Sequence, residues 1–314
     1  YYTMSKIPWV EYYRPTNLDN IVLEEQNKDI LHNILHTGYF PNLLLYGPPG
    51  TGKTTTVINL IEAYQLKYDK QLSKELITHL NASDERGIDI IRNQISSFVK
   101  SKPLFNKGMK FVILDEVDYM TKNAQQALKY LLQNNDNTNI RFCLICNYIS
   151  KIDEGLQNEF IKLRFNQLPK KEVILFLKHI LTCEHINMDD SSLYSIQKMF
   201  GSDIRSMINF LQSNQFTNYN NLKIINNDVL DEIIQHIKNC VNNDELTYYI
   251  YNICQTYNSD IKNIIKMLLN YIIRTKQIKD TSLFFNFTET LIHSQITNNY
   301  IYNTYALMQL KTFL

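Results

Sequence analysis

Short apolar runs alternate with amphipathic stretches over roughly the first 166 residues of the chain. The runs cover residues 43–46, 77–80, 111–114, 142–146 and 163–165. Between them lie segments with the apolar spacing of helices, such as residues 88–99 and 123–133. Runs that are apolar almost throughout are typical of strands covered on both faces, and strands that alternate with helices form parallel sheets. The pattern therefore predicts an α/β domain, built on a parallel sheet, over residues 1–166.

Beyond Pro169 the strand pattern stops and amphipathic helical patterns replace it. They cover residues 171–181, 191–200, 203–213, 229–241, 245–257, 261–275 and 283–297, and an Asn-rich stretch at 214–227 interrupts them. We therefore expect a small helical domain over residues 167–227 and an all-α domain over residues 228–314. The apolar faces of the last helices fit a monomer core, a subunit interface or both.

The composition is that of an ordinary globular protein, with 44% hydrophobic and 20% charged residues. The net charge of +1 provides no global attraction to nucleic acid, so any DNA binding must come from a local patch or from an assembly. The five cysteines include a C-x-x-C pair, Cys143 and Cys146, inside an apolar run. Because positions three apart on a strand face opposite sides, we expect buried structural thiols rather than a metal or redox pair.

A glycine-rich loop is the first motif with a chemical role. It reads Gly47-Pro48-Pro49-Gly50-Thr51-Gly52-Lys53-Thr54, which fits the phosphate-binding pattern G-x-x-x-x-G-K-[ST]. An apolar run precedes it and a helical pattern follows it, so its backbone N–H groups and the helix N-terminus can surround a phosphate. Lys53 is expected to reach the β- and γ-phosphates of a nucleotide, and Thr54 to hold Mg²⁺.

Polar side chains end two of the later apolar runs. Asp115 is expected at the carboxyl end of its strand, on the Mg²⁺ side of Thr54, and Glu116 is expected to be the general base that polarises the attacking water. Asn147 ends the next run, where it is placed to orient that water and to contact the γ-phosphate. The alternative for Asn147 is a simple turn residue, since Asn is common after strands.

Three arginines are candidate anion contacts. Arg205 follows Asp203 at a predicted helix start, where a cation is unfavourable, so we expect it either to pair with a γ-phosphate or to be solvated. Arg86 and Arg92 lie in a turn and in the helix after it, which suits a DNA phosphate-backbone site without base readout. Two arginines also fit an ordinary solvated helix face.

These segments together resemble the small subunits of replication factor C, the sliding-clamp loader of the AAA+ ATPase class, over about residues 8–213. The likeness rests on an N-terminal box at 8–15, with Tyr12 where the family has lysine, and on boxes at 81–87, 142–148 and 201–205. The last box has one inserted residue between its Gly and its Asp. Residues 86–89, 142–148 and 150–152 indicate one small subunit in particular. The resemblance implies an AAA+ P-loop domain, a helical lid domain and a C-terminal all-α collar domain.

The resemblance also implies ATP and Mg²⁺ as cofactors. Val10 and Arg14 would lie along the adenine and ribose, Thr54 and Asp115 would hold the metal, and Lys53, Asp115, Glu116 and Asn147 would serve catalysis. The implied nucleotide-binding residues are Val10, Arg14, Val22, Gly47, Pro48, Pro49, Gly50, Thr51, Gly52, Lys53, Thr54, Thr55, Asn147 and Arg205.

The partners implied by the resemblance are the other replication factor C subunits in a heteropentamer, the sliding clamp (PCNA) and the backbone of primer–template DNA. Arg86, Arg92 and Lys151 would contact template-strand phosphates, and residues 105–108 would lie near the clamp. A nuclear location follows from the family.

The chain departs from the family pattern at one place. Where the family has a Ser-Arg-Cys motif that supplies an arginine finger to the neighbouring subunit's ATP, this chain has Asn158-Glu159-Phe160. Glu159 would repel a γ-phosphate, so we expect slow hydrolysis at the neighbouring site unless Lys162 or Arg164 substitutes. Three alternatives stay open: an architectural nucleotide-binding subunit with little hydrolysis, a subunit of a checkpoint or cohesion loader, and an unrelated P-loop enzyme such as a small-molecule kinase.

Overall fold

The structure, a computed structural model, describes residues 7–83, 90–101, 108–133, 139–215, 225, 227–240, 242–257, 259–275, 281–293 and 300–313. Contacts divide the chain into two units, Tyr1–Phe216 and Thr217–Leu314. The first unit contains the sheet, and the described part of the second unit is helical. The three-domain division at residues 166/167 and 227/228 remains a prediction.

Five parallel strands form the sheet of the first unit in the order β2-β3-β4-β1-β5. They are β1 (Leu43–Tyr46), β2 (Ile77–Asn81), β3 (Lys110–Asp115), β4 (Ile140–Cys146) and β5 (Ile161–Arg164). The predicted α/β class with a parallel sheet is confirmed, and each predicted run overlaps a strand. The strand β5 begins earlier than predicted, because only Leu163 is buried on this edge strand and its apolar pattern is therefore weak.

The helices of the first unit are α1 (Trp9–Tyr12), α2 (Glu25–Thr37), α3 (Lys53–Tyr64), α4 (Ser96–Lys100), α5 (Lys122–Gln133), α6 (Glu154–Gln157), α7 (Lys170–Cys183), α8 (Asp190–Phe200) and α9 (Ile204–Ser213). Aspartates begin three of them, because the side chains of Asp153, Asp189 and Asp203 accept hydrogen bonds from first-turn N–H groups. The helix predicted over residues 88–99 is, in its described part, a π-helical turn (Ile90–Ile95) that leads into α4.

The sheet has a separate apolar cluster on each face. Leu44, Val112, Leu114, Phe142 and Leu144 belong to one cluster, and Leu43, Leu45, Phe111, Ile113 and Ile145 belong to the other. Successive strand residues point to opposite faces, so a sheet covered on both faces needs runs that are apolar throughout. The two cysteines follow the same rule: Cys143 is buried in the second cluster and Cys146 in the first, as expected for structural thiols.

The second unit consists, in its described part, of helices around one apolar core. They are α10 (Asn227–Asn239), α11 (Asn243–Thr256), α12 (Ile261–Thr275), α13 (Thr281–His293) and α14 (Tyr300–Phe313). The buried positions of α10 are Leu230, Ile233, Ile234 and Ile237, which form one helical face. The sequence pattern did not predict α14 as a separate helix, because its helical periodicity is weak, although Ala306, Leu307, Leu310 and Phe313 are buried together in the core. None of the described helices has the length and apolar character needed to cross a membrane.

The core below the site contains a group of aromatic rings next to β1. Phe40 is fully buried, and its ring centroid lies 4.8 Å from that of Phe111 and 5.3 Å from that of Tyr64. These edge-to-face contacts join the start of β1 to β3 and α3, so they fix the strand that leads into the phosphate-binding loop.

We expect Phe40→Ala to lower the free energy of unfolding by about 3–5 kcal/mol, because it leaves a cavity among these rings. The neighbouring Tyr39 is 67% exposed, and Tyr39→Ala should change the same quantity by less than about 0.5 kcal/mol. Urea denaturation followed by the fluorescence of Trp9, the single tryptophan, measures both. Equal effects of the two substitutions would contradict this assignment of the core.

Candidate nucleotide-binding site

The conformation of the loop between β1 and α3 requires glycine at two positions, where the loop backbone lies very close to other parts of the chain. Gly47 has φ 144° and Gly50 has φ 72°, values that favour glycine. A Cβ built on Gly47 would lie 1.7 Å from the carbonyl oxygen of Phe165, and one built on Gly50 would lie 1.8 Å from Oδ1 of Asp203. The loop therefore packs directly against β5's exit and against the start of α9, with no space for side chains at these two positions.

Lys53 is buried at the first position of α3. Its Nζ donates to the carbonyl oxygens of Gly47 and Pro48, both at 2.8 Å, and to Oδ1 of Asn147 at 3.1 Å. Burial lowers the pKa of this ammonium, and the nearby Asp115 carboxylate partly opposes the shift. All three hydrogen-bond acceptors of Lys53 are uncharged. The ammonium therefore forms no direct ion pair with the described residues, and it lies at the start of α3, beside the N–H groups of the loop. This donor set fits a phosphate group.

Thr54 and Asp115 are in contact where β3 ends beside the start of α3. The Thr54 hydroxyl donates to Oδ2 of Asp115 at 2.7 Å, and Oδ1 of Asp115 accepts from the N–H of Glu116 at 2.9 Å. Hydroxyl and carboxylate oxygens are the ligands that Mg²⁺ prefers, so this pair fits the expected metal.

Glu116 adopts a left-handed backbone conformation, with φ 56° and ψ 37°. A residue other than glycine in this region carries a strain of about 1–3 kcal/mol, and such strain is concentrated at functional sites. Glu116 lines the same cleft as Lys53, Thr54 and Asp115.

A buried carboxylate that the sequence did not single out lies behind Asn147. Asp118 is 6% exposed, and its Oδ1 accepts from the N–H of Asn147 at 3.4 Å. Its Oδ2 has no hydrogen-bond partner in the described part of the chain. In the sequence, Asp118 reads as part of a solvated acidic turn; its position three residues after Asp115, just beyond a buried strand, is the available signal.

The N-terminal segment covers one side of the cleft and joins the sheet to the helices that follow it. Nε of Arg14 donates to Oγ1 of Thr55 at 3.1 Å, and the N–H of Trp9 donates to Oε1 of Gln212 in α9 at 3.1 Å. The Tyr13 hydroxyl donates to Glu184, just after α7, at 2.5 Å. Burial and this carboxylate raise the pKa of Tyr13, so the hydroxyl keeps its proton.

Arg205 lies in the first turn of α9, where its exposed side chain lines the cleft. The side chain of Asp203 caps this helix, and the N–H of Ile204 donates to the carbonyl oxygen of Gly50 at 3.1 Å. The inserted residue, Ser202, accepts from the N–H of Leu168 at 3.0 Å. Arg205 and the phosphate-binding loop are therefore parts of one connected structure.

Most of the sequence-predicted nucleotide contacts line this single cleft: Val10, Arg14, Val22, Pro49, Gly50, Thr51, Gly52, Lys53, Thr54, Thr55, Asp115, Glu116, Asn147 and Arg205. Gly47 and Pro48 lie beneath it and hold Lys53 through their carbonyl oxygens. Sequence reasoning missed the apolar lining by Ile21, Phe176 and Ile208, and the lining by Tyr13. Ile21, Phe176 and Ile208 come from distant segments and belong to no motif, whereas Tyr13 lies in the N-terminal box and was not singled out within it.

The other predicted positions lie away from the cleft or outside the described residues. Lys151 is exposed in the turn after β4 and does not line the cleft. Arg86 lies outside the described residues, as does the side chain of Arg92. Of residues 105–108, only Gly108 is described.

Glu159, the residue that departs from the family pattern, is held by a hydrogen bond within the chain. Glu159 follows α6, and its Oε1 accepts from Nε2 of Gln133 at 2.9 Å. Lys162 and Arg164 are exposed on β5, and Nζ of Lys162 donates to Gln157 at 3.2 Å.

The ATPase family associated with various cellular activities (AAA) matches residues 43–168. Among solved structures, the Thermotoga maritima RuvB Holliday junction branch migration motor is similar with a TM-score of 0.55 at 16% identity, covering 86% of this chain and 93% of that one. At this identity the likeness shows the fold alone.

Named relatives are more similar in sequence. Replication factor C subunit 5 of Homo sapiens is 41% identical over 67% of this chain and 61% of its own length, and subunit 3 of Schizosaccharomyces pombe is 39% identical over 67% and 60%. The chain thus spans about 60% of the length of these two relatives. Subunit 3 of Saccharomyces cerevisiae is 34% identical over 84% of this chain and 71% of its own length. The chain therefore belongs to the replication factor C small-subunit family of AAA ATPases, and it resembles the member numbered three in yeasts and five in human.

Proposed function

We propose that the chain is an ATP-hydrolysing small subunit of a clamp loader, which opens a sliding clamp and loads it onto primer–template DNA during replication and repair. Hydrolysis takes place in the assembled heteropentamer. The observation that carries the proposal is the cleft in which Lys53, Thr54, Asp115, Glu116 and Asn147 meet. The names of the relatives support a clamp loader over an unrelated phosphate-loop enzyme.

Each polar group of the cleft has a role in this proposal. Lys53 and the N-terminus of α3 bind the β- and γ-phosphates of ATP, and Thr54 and Asp115 hold Mg²⁺. Bound Mg²⁺ supplies positive charge against the phosphate oxygens. Glu116 accepts a proton from the attacking water, and Asn147 orients that water. Arg205 pairs with the γ-phosphate from the side of α9.

The proposed partners are other replication factor C subunits, the sliding clamp and the phosphate backbone of DNA, and the proposed location is the nucleus. With a net charge of +1, the chain has to contact DNA through a local group of cations. Lys151, exposed beyond β4, is one, and Arg86 and Arg92 belong to the same proposal. Phosphate contacts of this kind weaken with added salt and do not depend on base sequence.

Lys53→Ala should weaken ATP binding about 10- to 100-fold, because it removes a buried charged donor from the phosphate site. Titration of the full chain with a fluorescent ATP analogue measures the dissociation constant. The control is Lys28→Ala, which removes a half-buried ion pair with Glu172 outside the cleft and should leave the constant unchanged. Unaltered binding by Lys53→Ala would contradict the assignment of the phosphate site.

Glu116→Gln should preserve ATP binding and lower turnover by the assembled complex about 10²- to 10⁴-fold, since the amide cannot accept the proton of the attacking water. Binding is measured as above, and turnover as phosphate release. Glu154→Gln in α6 is a matched control, because this exposed carboxylate lies outside the cleft. Undiminished turnover by Glu116→Gln would assign the general base to another group.

Glu159→Arg should raise turnover at the neighbouring subunit's site by at least about 10-fold, since an arginine finger contributes roughly 10³–10⁵ in rate where it operates. Asn158→Arg is the control, because it places an arginine one residue away at an exposed position. Turnover is compared in complexes whose other sites are blocked by Lys-to-Ala changes in their own phosphate loops.

An equal rate for Glu159→Arg and the unaltered complex would rule out repulsion by Glu159 as the cause of slow hydrolysis. It would favour the architectural alternative, in which the chain and its neighbour bind nucleotide but hydrolyse it rarely.

A further inference from the structure

Two exposed tyrosine rings share one lysine at the carboxyl edge of the sheet. Nζ of Lys151 lies 5.3 Å from the ring centroid of Tyr119 and 5.1 Å from that of Tyr148. Both rings are 61% exposed, although each is large and mostly apolar. We call these three residues the Tyr–Lys–Tyr cluster. Cation–π attraction within about 6 Å restrains the flexible lysine, so its charge is presented at a defined position on the surface.

The cluster exists because two neighbouring strands end at the same edge. Tyr119 ends the 3₁₀ turn Val117–Tyr119 after β3, and Tyr148 and Lys151 lie at the turn after β4. Parallel strands β3 and β4 are adjacent in the sheet, so these two turns are side by side. The cluster is thus built from the same two strand ends that carry Asp115 and Asn147.

Buried amides fix the backbone beneath the cluster. Gln125 in α5 is 2% exposed, and its Nε2 donates to the carbonyl oxygens of Met120 at 3.2 Å and Lys151 at 3.1 Å. Its Oε1 accepts from the N–H of Asp153 at 2.7 Å. One side chain therefore connects the turn after β3 to the turn after β4, and the rings are held on a rigid base.

The chemistry of this surface fits nucleic acid. Exposed aromatic rings next to a cation are the combination with which proteins bind single strands, because bases stack on the rings while the cation pairs with the backbone. Stacking requires a base whose face is free, and in the interior of a duplex both faces of each base are covered by neighbouring bases. The rigid base lowers the entropy lost when the three side chains take up a ligand.

We propose that the Tyr–Lys–Tyr cluster binds an unpaired nucleotide, with a base stacked on Tyr119 or Tyr148 and the adjoining phosphate paired with Lys151. The inference rests on the proposed function, in which this chain contacts primer–template DNA. The inference adds that the chain prefers the unpaired part of that DNA, and that Tyr119 and Tyr148 cause this preference.

The experiment uses the full chain assembled with the other replication factor C subunits, bound to ATP analogue. The DNA is a primer–template carrying 2-aminopurine at unpaired template positions beside the junction, and a blunt duplex of equal length is the comparison. The double variant Tyr119→Leu/Tyr148→Leu should bind the primer–template about 5- to 100-fold more weakly per stacked base, and should lose the quenching of 2-aminopurine. Its affinity for the blunt duplex should stay within about twofold.

Two further variants separate the parts of the cluster. Tyr119→Phe/Tyr148→Phe keeps both rings and should retain quenching and affinity, which also controls for folding. Lys151→Gln should retain quenching but reduce the slope of log affinity against log salt by about one. Thermal unfolding and ATP-analogue binding by each complex establish that the variants are intact.

The outcomes distinguish this inference from the proposed function. If the unaltered complex binds neither DNA, the proposed function fails. If it binds DNA and the leucine variant binds both DNAs as the unaltered complex does, the inference fails while the function stands. If the leucine variant folds but no longer assembles, the rings pack against a neighbouring subunit and the inference is overturned.

Discussion

The buried ammonium of Lys53 is the interaction on which the site depends. It holds the carbonyl oxygens of Gly47 and Pro48 at one side and Oδ1 of Asn147 at the other. A positive charge in such surroundings is costly unless polar groups surround it, and the acceptors available are neutral. The result is a site that stays organised by hydrogen bonds but has an unmet preference for an anion. A phosphate at this position would replace one or more of these neutral acceptors and bring a negative charge to the ammonium.

The order of the strands makes this arrangement possible. The sheet runs β3-β4-β1, so the carboxyl ends of these three strands lie side by side. They carry Asp115, Asn147 and the glycine-rich loop, respectively. Residues more than 90 positions apart, Lys53 and Asn147, thereby come within hydrogen-bond distance. Crossover connections of a parallel sheet bring such ends together at one edge, which is why ligands bind there. The same edge carries Tyr119 and Tyr148 on its outer turns.

The sequence predicted those parts of the fold and site that local pattern determines. Strands buried on both faces appear as continuous apolar runs. The phosphate-binding loop and the residues that end β3 and β4 come directly after these runs in the sequence, so their positions at the edge of the sheet could be predicted.

Other features depend on packing between distant segments. Phe176 and Ile208 line the cleft because α7 and α9 approach it, and no local pattern marks them. Asp118 looked like a solvated acid because exposure after a strand is the common case, yet it is buried against Asn147. The helix α14 was not predicted separately, because its apolar residues do not form one clear stripe in the sequence.

Contacts of the phosphate-binding loop extend beyond the sheet to the helices that follow it. Gly50 accepts from the N–H of Ile204, and its lack of a side chain leaves room for Asp203, the cap of α9. The same segment is fixed from the other direction, because the inserted Ser202 accepts from the N–H of Leu168. A shift of the loop therefore moves the start of α9 with it, and Arg205 lies in that first turn. Arg205 and Lys53 line the same cleft and their like charges disfavour each other, so an anion between them would be attracted by both the loop and the first turn of α9.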